Sequence, residues 1–183
     1  MKNNDKKIAL STLILLQNKN WKDLTLAEIR DKSKIKKFDL LVKDKKIIIK
    51  KINEYFDYKL ALDSKNIEQS NNKDMIFEIL MMRFDLLQKY RKGIISIFNS
   101  FGNKPQDLIF LLPNILDSII SMINYTNISL KGVVGQLKIK GILIIYISSF
   151  IVWIKDESIS LEKTMTSLDE NLDRAGKVLS FLK

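Results

Sequence analysis

Apolar residues recur along this chain at the spacing of amphipathic helices, and the clearest pattern lies near its end. The positions are Leu161, Met165, Leu168, Leu172, Ala175, Leu179 and Leu182. They alternate in steps of four and three, which is the spacing of a heptad seam. The pattern predicts a helix over about residues 160–181 with one narrow apolar stripe.

A solid apolar run, GILIIYISSFIVWI, precedes this stripe and predicts a helix over about residues 138–155. A helix that is apolar on nearly all sides is buried all round, and a four-three stripe packs along another helix. We therefore expect both helices to pair with their copies in a homodimeric four-helix bundle. The expected interface residues are Ile144, Ile151, Met165, Leu168, Leu172 and Leu179.

The competing interpretation of the apolar run is a membrane span. Its uninterrupted part, residues 142–154, has 13 residues, whereas a span needs roughly 18 to 20. The first apolar segment of the chain is broken by polar residues and has no small-residue cleavage site, so it does not resemble a secretory signal. We expect no integral membrane span and a cytoplasmic protein.

Earlier in the chain the apolar spacing predicts four helices. They cover about residues 6–18, a segment beginning at Leu26, residues 36–42 and residues 45–61. Thr25 and Glu28 have the form of a capping box ahead of the second helix. Trp21 is expected in the core.

The segment DSKNIEQSNNKD, residues 63–74, is polar and indicates a connection. It predicts one domain over residues 1–62 and another over 74–183, with further helices over about 75–90 and 107–123. Pro113 marks either the start of the latter helix or a kink in it. Gly93, Gly102 and residues 125–132 mark further breaks. Together these patterns predict an all-α fold.

The composition removes several kinds of chemistry, because the 183 residues include no cysteine and no histidine. Thiol nucleophiles, disulfides, thiolate zinc sites and imidazole bases or ligands are therefore impossible. We do not expect an enzyme, a cofactor or a metal site. Carboxylates near the C-terminus, such as Asp156 and Asp169, are expected to form caps and ion pairs, and either one is a candidate partner for Arg83.

The net charge of +10 is unevenly distributed. The first 60 residues hold 16 Lys or Arg against 8 Asp or Glu, a balance of +8. This asymmetry predicts that the N-terminal third meets any polyanionic partner. The alternative is that its lysines form an ordinary solvated surface.

Helix, capped short helix, tight turn, short helix and long helix is the layout of a helix-turn-helix domain. The stretches NWKDLTLAEIRDKSKI and KDKKIII resemble the DNA-binding half of the tetracycline-repressor (TetR) family. The resemblance implies DNA as a partner, with the third helix in the major groove and basic residues on phosphates. The implied DNA-binding residues are Thr25, Lys32, Lys34, Lys36, Lys37, Lys43, Lys45 and Lys46, of which Lys36 and Lys37 fall on the recognition helix.

The stretches MMRFDLLQKYRKGI and KDESISLEKTMTSLDENLDRA resemble the regulatory half of one branch of the same family. The best-matched motif is Trp-x-x-Asp-x-Ser, here Trp153, Asp156 and Ser158, followed by Thr164 and Met165. The resemblance implies a helical ligand-binding and dimerisation domain with a small apolar effector. Candidate pocket residues are Met82, Phe84, Phe98, Phe110, Met122, Tyr146 and Phe150, although side chains of this kind more often form plain core.

Two functions follow from these resemblances. One is a TetR-type transcriptional regulator whose grip on DNA is altered by an apolar effector. The other is an accessory protein of ubiquinone biosynthesis, a class that shares the fold, resembles this chain around Trp153 and holds isoprenoid lipid instead of DNA.

Departures from the TetR pattern favour the accessory protein. Lys34 stands where the family has a glycine, Leu41 replaces an aromatic residue, and the segment before Lys45 is shorter. The +8 of the N-terminal third favours the regulator. A dimer that keeps neither activity is a third alternative.

Overall fold

The computed structural model describes residues 1–64, 70–102 and 105–180. Within these ranges the chain is helical and contains no β-strand, so the all-α prediction is confirmed. The α-helices are α1 (Asn3–Leu15), α2 (Leu26–Ser33), α3 (Phe38–Leu41), α4 (Lys45–Asp63), α5 (Asn72–Gln88), α6 (Arg91–Ser100), α7 (Leu112–Ile123), α8 (Gly132–Lys155) and α9 (Glu162–Ser180). A 3₁₀ helix, Pro105–Leu111, precedes α7.

The contacts between helices divide the chain into two compact units. The first unit contains Met1–Leu62 and Leu86–Ile115, and the second contains Asp63–Asp85 and Leu116–Lys183. The sequence placed a boundary after residue 62, and the first division of the chain falls there. Residues 86–115 group with the N-terminal helices, although the sequence placed them in the second domain.

Helix α6 joins the first unit because its one glycine, Gly93, packs directly against Leu16 at the end of α1. A Cβ atom on Gly93 would lie 2.9 Å from the Leu16 Cβ, so the missing side chain permits the close approach. The Trp21 amide also donates a hydrogen bond of 2.7 Å to the Ser96 Oγ, and the Trp21 side chain is buried as predicted. The prediction that Gly93 interrupts a helix is wrong, because the residue lies inside α6.

The other expected breaks lie where the sequence placed them. Helix α7 begins at Leu112, so Pro113 occupies its first turn. Amides in the first turn donate no hydrogen bond within the helix, so a proline there costs none. Gly102 follows α6 with a φ of +56°, in the left-handed region that favours glycine. Of the two alternatives for Pro113, the helix start is therefore confirmed.

Helix α8 is the longest in the second unit, with 24 residues, and it begins about six residues before the predicted start. Its first turn is set by glycines: Gly132 has a φ of +67°, and a Cβ on Gly135 would lie 2.0 Å from the Leu130 carbonyl oxygen. Within one chain α8 is not buried on every side, and the expected burial of its other sides by a second subunit stays a prediction. Its exposed apolar residues are Val133, Val134, Leu137, Ile144 and Ile151, and its buried ones include Ile139, Ile142, Ile145, Tyr146 and Trp153.

Within the described residues, α8 is the one helix long and apolar enough to cross a membrane by length and composition. Its most apolar window of 18 residues has a mean hydropathy of 1.9, and 33% of that window is buried. A core helix of a globular protein passes the same test. The expected absence of a membrane span therefore stays a prediction.

The apolar stripe of α9 is filled largely within its own chain. Helix α9 packs against α8, and Leu161, Leu168 and Leu172 are buried. Removing a leucine side chain of this kind from water contributes about 1.5 to 3 kcal/mol to folding. Met165 belongs to the same stripe, but its side chain is 39% exposed.

A buried carboxylate connects the end of α8 to the start of α9. The Asp156 Oδ1 accepts hydrogen bonds from the Ser158 amide (3.2 Å) and hydroxyl (2.6 Å). Its Oδ2 accepts from the Thr164 amide and hydroxyl, both at 2.8 Å. Burial raises the pKa of Asp156, but these hydrogen bonds outweigh it and lower the pKa to about 2. The expected capping role of this segment is thus confirmed.

Arg83 is buried, as its apolar neighbours in the sequence suggested. The two carboxylates proposed as its partners hold other groups. Asp156 accepts from Ser158 and Thr164, and Asp169 lies 2.7 Å from the Lys73 Nζ. Lys73 also pairs with Asp173 at 2.6 Å, so it ties α5 to α9 within the second unit.

Replacement of Asp156 by alanine is predicted to destabilise the second unit. The variant leaves the buried Thr164 amide and hydroxyl without their acceptor, and each unsatisfied buried group costs about 1 to 3 kcal/mol. Urea unfolding is expected to show a loss of about 2 to 3 kcal/mol for Asp156→Ala. Glu157→Ala, an exposed carboxylate one position along, is the matched control and is expected to unfold like the wild type.

The same pair of proteins tests the charge state of Asp156. Because its pKa is lower in the folded chain than in the unfolded one, its stabilisation is complete above about pH 4 and is lost as the pH falls towards 2. The stability difference between wild type and Asp156→Ala is therefore expected to shrink over that interval. A difference that stays constant from pH 6 to about pH 2 would contradict an ionised Asp156.

Candidate nucleic-acid interface

Most lysines predicted to contact DNA lie around the turn between α2 and α4. Lys32 is in the last turn of α2, Lys34 directly follows it, and Lys36 and Lys37 precede α3. Six of these side chains are exposed: Lys32, Lys34, Lys36, Lys37, Lys43 and Lys46. We call these six the lysine cluster. Between Arg30 and Lys51 ten Lys or Arg face three Asp.

Helix α2 starts with the predicted capping box. The Thr25 Oγ1 accepts from the Glu28 amide at 3.3 Å, and the Thr25 amide donates to the Glu28 Oε2 at 2.8 Å. Glu28 also pairs with the Lys19 Nζ at 2.6 Å. The hydrogen bonds from Lys19 and Thr25 lower the pKa of Glu28 to about 2. The Thr25 hydroxyl, predicted as a DNA contact, is therefore engaged in the cap.

Lys34 closes α2 in a left-handed conformation, with φ of 54° and ψ of 39°. Its amide donates to the Arg30 carbonyl at 2.9 Å, which completes the helix end. A side chain in this region is crowded by its own carbonyl group, whereas glycine is not. The chain thus makes with a strained lysine a turn that a glycine would make without strain.

The predicted recognition helix is much shorter than expected. Helix α3 has four residues, Phe38–Leu41, and Lys36 and Lys37 lie before it instead of on it. The prediction that those two lysines occupy a recognition helix is wrong. The helix ends where Val42 turns to extended backbone and becomes buried, as Phe38 is at the other end.

Few side chains of α3 face outward. Asp39 is exposed, and Leu40 is 76% exposed. A carboxylate repels phosphate, and a single turn offers no row of residues along a groove. We therefore expect α3 to make few contacts with base edges.

Lys45 is bound to the protein itself. Its Nζ donates to the Trp21 carbonyl at 2.6 Å and to the Lys22 carbonyl at 3.3 Å, and it lies 5.0 Å from the centre of the Trp21 ring. Burial lowers the pKa of Lys45. Its ammonium group links the segment between α1 and α2 to α4. Fewer of its N–H groups are therefore available to donate to a phosphate.

Lys46, the next residue, is exposed. Its Nζ lies 5.3 Å above the centre of the Phe110 ring, within the first unit. The start of α4 is capped by Asp44, whose Oδ1 accepts from the Ile47 amide at 3.1 Å. Lys45 and Lys46 therefore differ in availability although the sequence presents them as equivalent.

The candidate pocket residues separate into two sets. Phe98 and Phe110 belong to the first unit, and Met82, Phe84, Met122, Tyr146 and Phe150 to the second. In the second unit Phe84 stacks on Tyr146 with ring centres 5.5 Å apart, and Tyr146 lies 6.4 Å from Phe150. Two surface depressions in the described residues are lined by other side chains, on α9 and beside Met1. The effector pocket stays a prediction.

The predicted dimer residues also fall into two sets, one exposed and one buried. Ile144, Ile151 and Met165 are 67%, 50% and 39% exposed, which leaves them free to meet another chain. Leu168 and Leu172 are buried within one chain, so they are not available as an intermolecular surface. Leu179 lies outside the residues whose side chains the structure describes. The homodimer itself stays a prediction.

Comparison with known proteins does not assign this chain to a family. No protein-family model matches the sequence, and no curated protein sequence matches it either. Within the described residues, no group of three or more carboxylates is placed to hold a metal ion.

Replacing Lys34 by glycine is predicted to stabilise the first unit. Left-handed backbone costs a lysine about 1 to 2 kcal/mol, and the greater freedom of glycine in the unfolded chain cancels about half of that gain. Urea unfolding is expected to show a net gain of about 0.5 to 1 kcal/mol for Lys34→Gly. Lys36→Gly removes the same charge at a residue without positive φ and is expected to give no gain. Equal effects of the two changes would contradict the strain at Lys34.

Proposed function

We propose that this protein is a DNA-binding transcriptional regulator with a TetR-like arrangement of helices. The observation that carries the proposal is the lysine cluster, six exposed ammonium groups gathered on one helix-turn-helix segment. Each cation placed near a phosphate releases condensed counterions, which supplies affinity without any base contact. The capping box at Thr25 and the left-handed turn at Lys34 support the helix-turn-helix interpretation.

The proposed binding mode rests on the phosphate backbone more than on base edges. Helix α3 has one turn, and its exposed side chains include the acidic Asp39. The lysines lie in the turn before α3 and after it, at Lys36, Lys37 and Lys43. Such contacts position a protein on the duplex and carry little sequence information. Sequence preference is therefore expected to be modest for one chain.

A homodimer would place two lysine clusters on one duplex. The exposed side chains of Ile144, Ile151 and Met165 in the second unit support self-association, because exposed apolar side chains are buried at subunit contacts. The neighbouring aromatic rings of Phe84, Tyr146 and Phe150 support the second unit as the place where a small apolar effector binds. In this proposal effector binding changes the spacing of the two clusters.

A salt titration of duplex binding tests the role of the lysine cluster. With about five phosphates neutralised per chain, the logarithm of the binding constant is expected to fall with a slope of about −4 to −5 against the logarithm of salt concentration. Fluorescence anisotropy with a labelled duplex measures this slope. A slope near zero would contradict the proposal.

Two adjacent residues provide a matched comparison within this titration. Lys46→Gln is expected to reduce the slope by about one, because an exposed cation is lost. Lys45→Gln is expected to reduce protein stability and to change the slope less, since its ammonium is held by the Trp21 and Lys22 carbonyls. Lys163→Gln, an exposed lysine on α9, is the control and is expected to leave the slope unchanged.

The second candidate function is an isoprenoid-binding accessory protein of ubiquinone biosynthesis. The one-turn α3 favours it, because a chain without a full recognition helix is less suited to reading an operator. The apolar and aromatic side chains of the second unit would then surround lipid in place of a small effector. This candidate requires no DNA binding.

Lipid extraction distinguishes the two candidates. The purified protein is extracted with organic solvent, and the extract is analysed by mass spectrometry. A regulator is expected to yield no stoichiometric isoprenoid, whereas an accessory protein is expected to yield about one quinone or isoprenoid per chain. Stoichiometric isoprenoid together with a flat salt titration would replace the regulator proposal by the accessory-protein one.

A further inference from the structure

The first turns of α8 expose more apolar surface than any other described helix start. Val133 is 78% exposed, Val134 57% and Leu137 47%. Residues three and four apart on a helix are neighbours on its surface, so Leu137 lies beside both Val134 and Val133 and connects them into one patch. We call them the α8 patch. Its side chains are unusual for a surface because aliphatic residues seldom cluster there without a partner.

The surroundings of the α8 patch are cationic. No Asp or Glu occurs between Asp117 and Asp156, a stretch that contains Lys131, Lys138, Lys140 and Lys155. Lys131 and Lys140 are exposed on either side of the patch along the helix. Apolar side chains bordered by lysines, with no carboxylate among them, match the chemistry of an anionic lipid surface.

The patch is carried on a rigid support. Ile139 and Ile142, on the other side of α8, are buried in the second unit. The tight approach of Gly135 to the Leu130 carbonyl and the positive φ of Gly132 fix the chain where it enters the helix. The exposed side chains therefore need no unfolding or reordering to meet a flat partner, which lowers the entropic cost of docking.

We propose that the α8 patch docks this protein on the surface of an anionic lipid bilayer. Val133, Val134 and Leu137 insert between the headgroups, and Lys131 and Lys140 lie at the level of the lipid phosphates. The helix lies on the membrane and does not cross it. A crossing would place Lys138 and Lys140 in the hydrocarbon and remove Trp153 from its buried position.

A second copy of the chain fits the α8 patch less well. Helix α8 holds three lysines and no carboxylate, and Lys131 directly precedes it. Pairing two copies at the α8 patch therefore brings like charges together. The proposed dimer residues on α8, Ile144 and Ile151, lie further along the helix and leave Val133 and Val134 unused. The lipid surface is therefore the occupant that the charge favours.

Vesicle flotation of the full chain tests this inference. Vesicles of phosphatidylcholine alone are compared with vesicles containing about 30% phosphatidylglycerol, at low and high salt. Wild-type protein is expected to float with the anionic vesicles at low salt and to remain unbound with the neutral ones. The double variant Val133→Ser with Leu137→Ser is expected to lose about tenfold in partitioning, because it loses most of the inserted aliphatic area. Lys140→Gln is expected to lose about fivefold.

Two controls separate the α8 patch from other surfaces. Ile159→Ser removes the most exposed isoleucine of the second unit, at 97%, and is expected to float like the wild type. The double variant Lys36→Gln with Lys37→Gln weakens the lysine cluster of the first unit and is expected to retain most of the flotation. Circular dichroism confirms that each variant is folded. The inference does not require DNA binding, so its failure and that of the regulator proposal are separate results.

Three outcomes would overturn the inference. One is the absence of wild-type flotation with anionic vesicles. Another is flotation that is abolished by the Lys36 and Lys37 changes and unaffected by the Val133 and Leu137 changes, which would assign the binding to the first unit. The third is a wild-type dimer that becomes monomeric in the Val133 and Leu137 variant without any vesicle binding, which would assign the patch to a second copy.

Discussion

The second unit is built around α8, whose apolar surface is only partly covered within the chain. Helix α8 has apolar residues on every side, and α9 together with Phe84 of α5 covers only part of this surface. The buried Asp156 fixes this arrangement, because its oxygens bind the amides and hydroxyls at the start of α9 and so set where that helix begins. The remaining apolar side of α8 stays exposed, and its exposure is the physical reason to expect a further partner.

The first unit has a buried apolar core, and what distinguishes its surface is charge. Its lysines are too many to be neutralised by nearby carboxylates, and several are placed on turns where they cannot be covered by helix packing. Their individual roles are decided by neighbours. Lys45 is held by two backbone carbonyls, Lys19 by Glu28, and the lysine cluster is left to solvent or to a polyanion.

Both proposed surfaces would recognise a chemical class and not a sequence. The lysine cluster offers point charges to phosphates, and the α8 patch combines aliphatic area with bordering lysines. Interactions of this kind tolerate imprecise geometry, because Coulomb attraction and burial of apolar area vary slowly with position. A one-turn α3 and a strained lysine at the helix turn are compatible with such recognition, whereas base reading would demand a longer and better-formed helix.

The sequence by itself determined the all-α fold, most helix positions and the capping box at Thr25. These features follow from local spacing and from the chemistry of single residues, which one chain displays directly. Only the tertiary structure decided that Gly93 lies inside a helix against Leu16 and that Leu168 and Leu172 are covered within the chain. It also decided that two backbone carbonyls hold Lys45, while Lys46 stays exposed beside the Phe110 ring. Each of these depends on which residue lies across from it, and residues distant in sequence become neighbours only when the chain has folded.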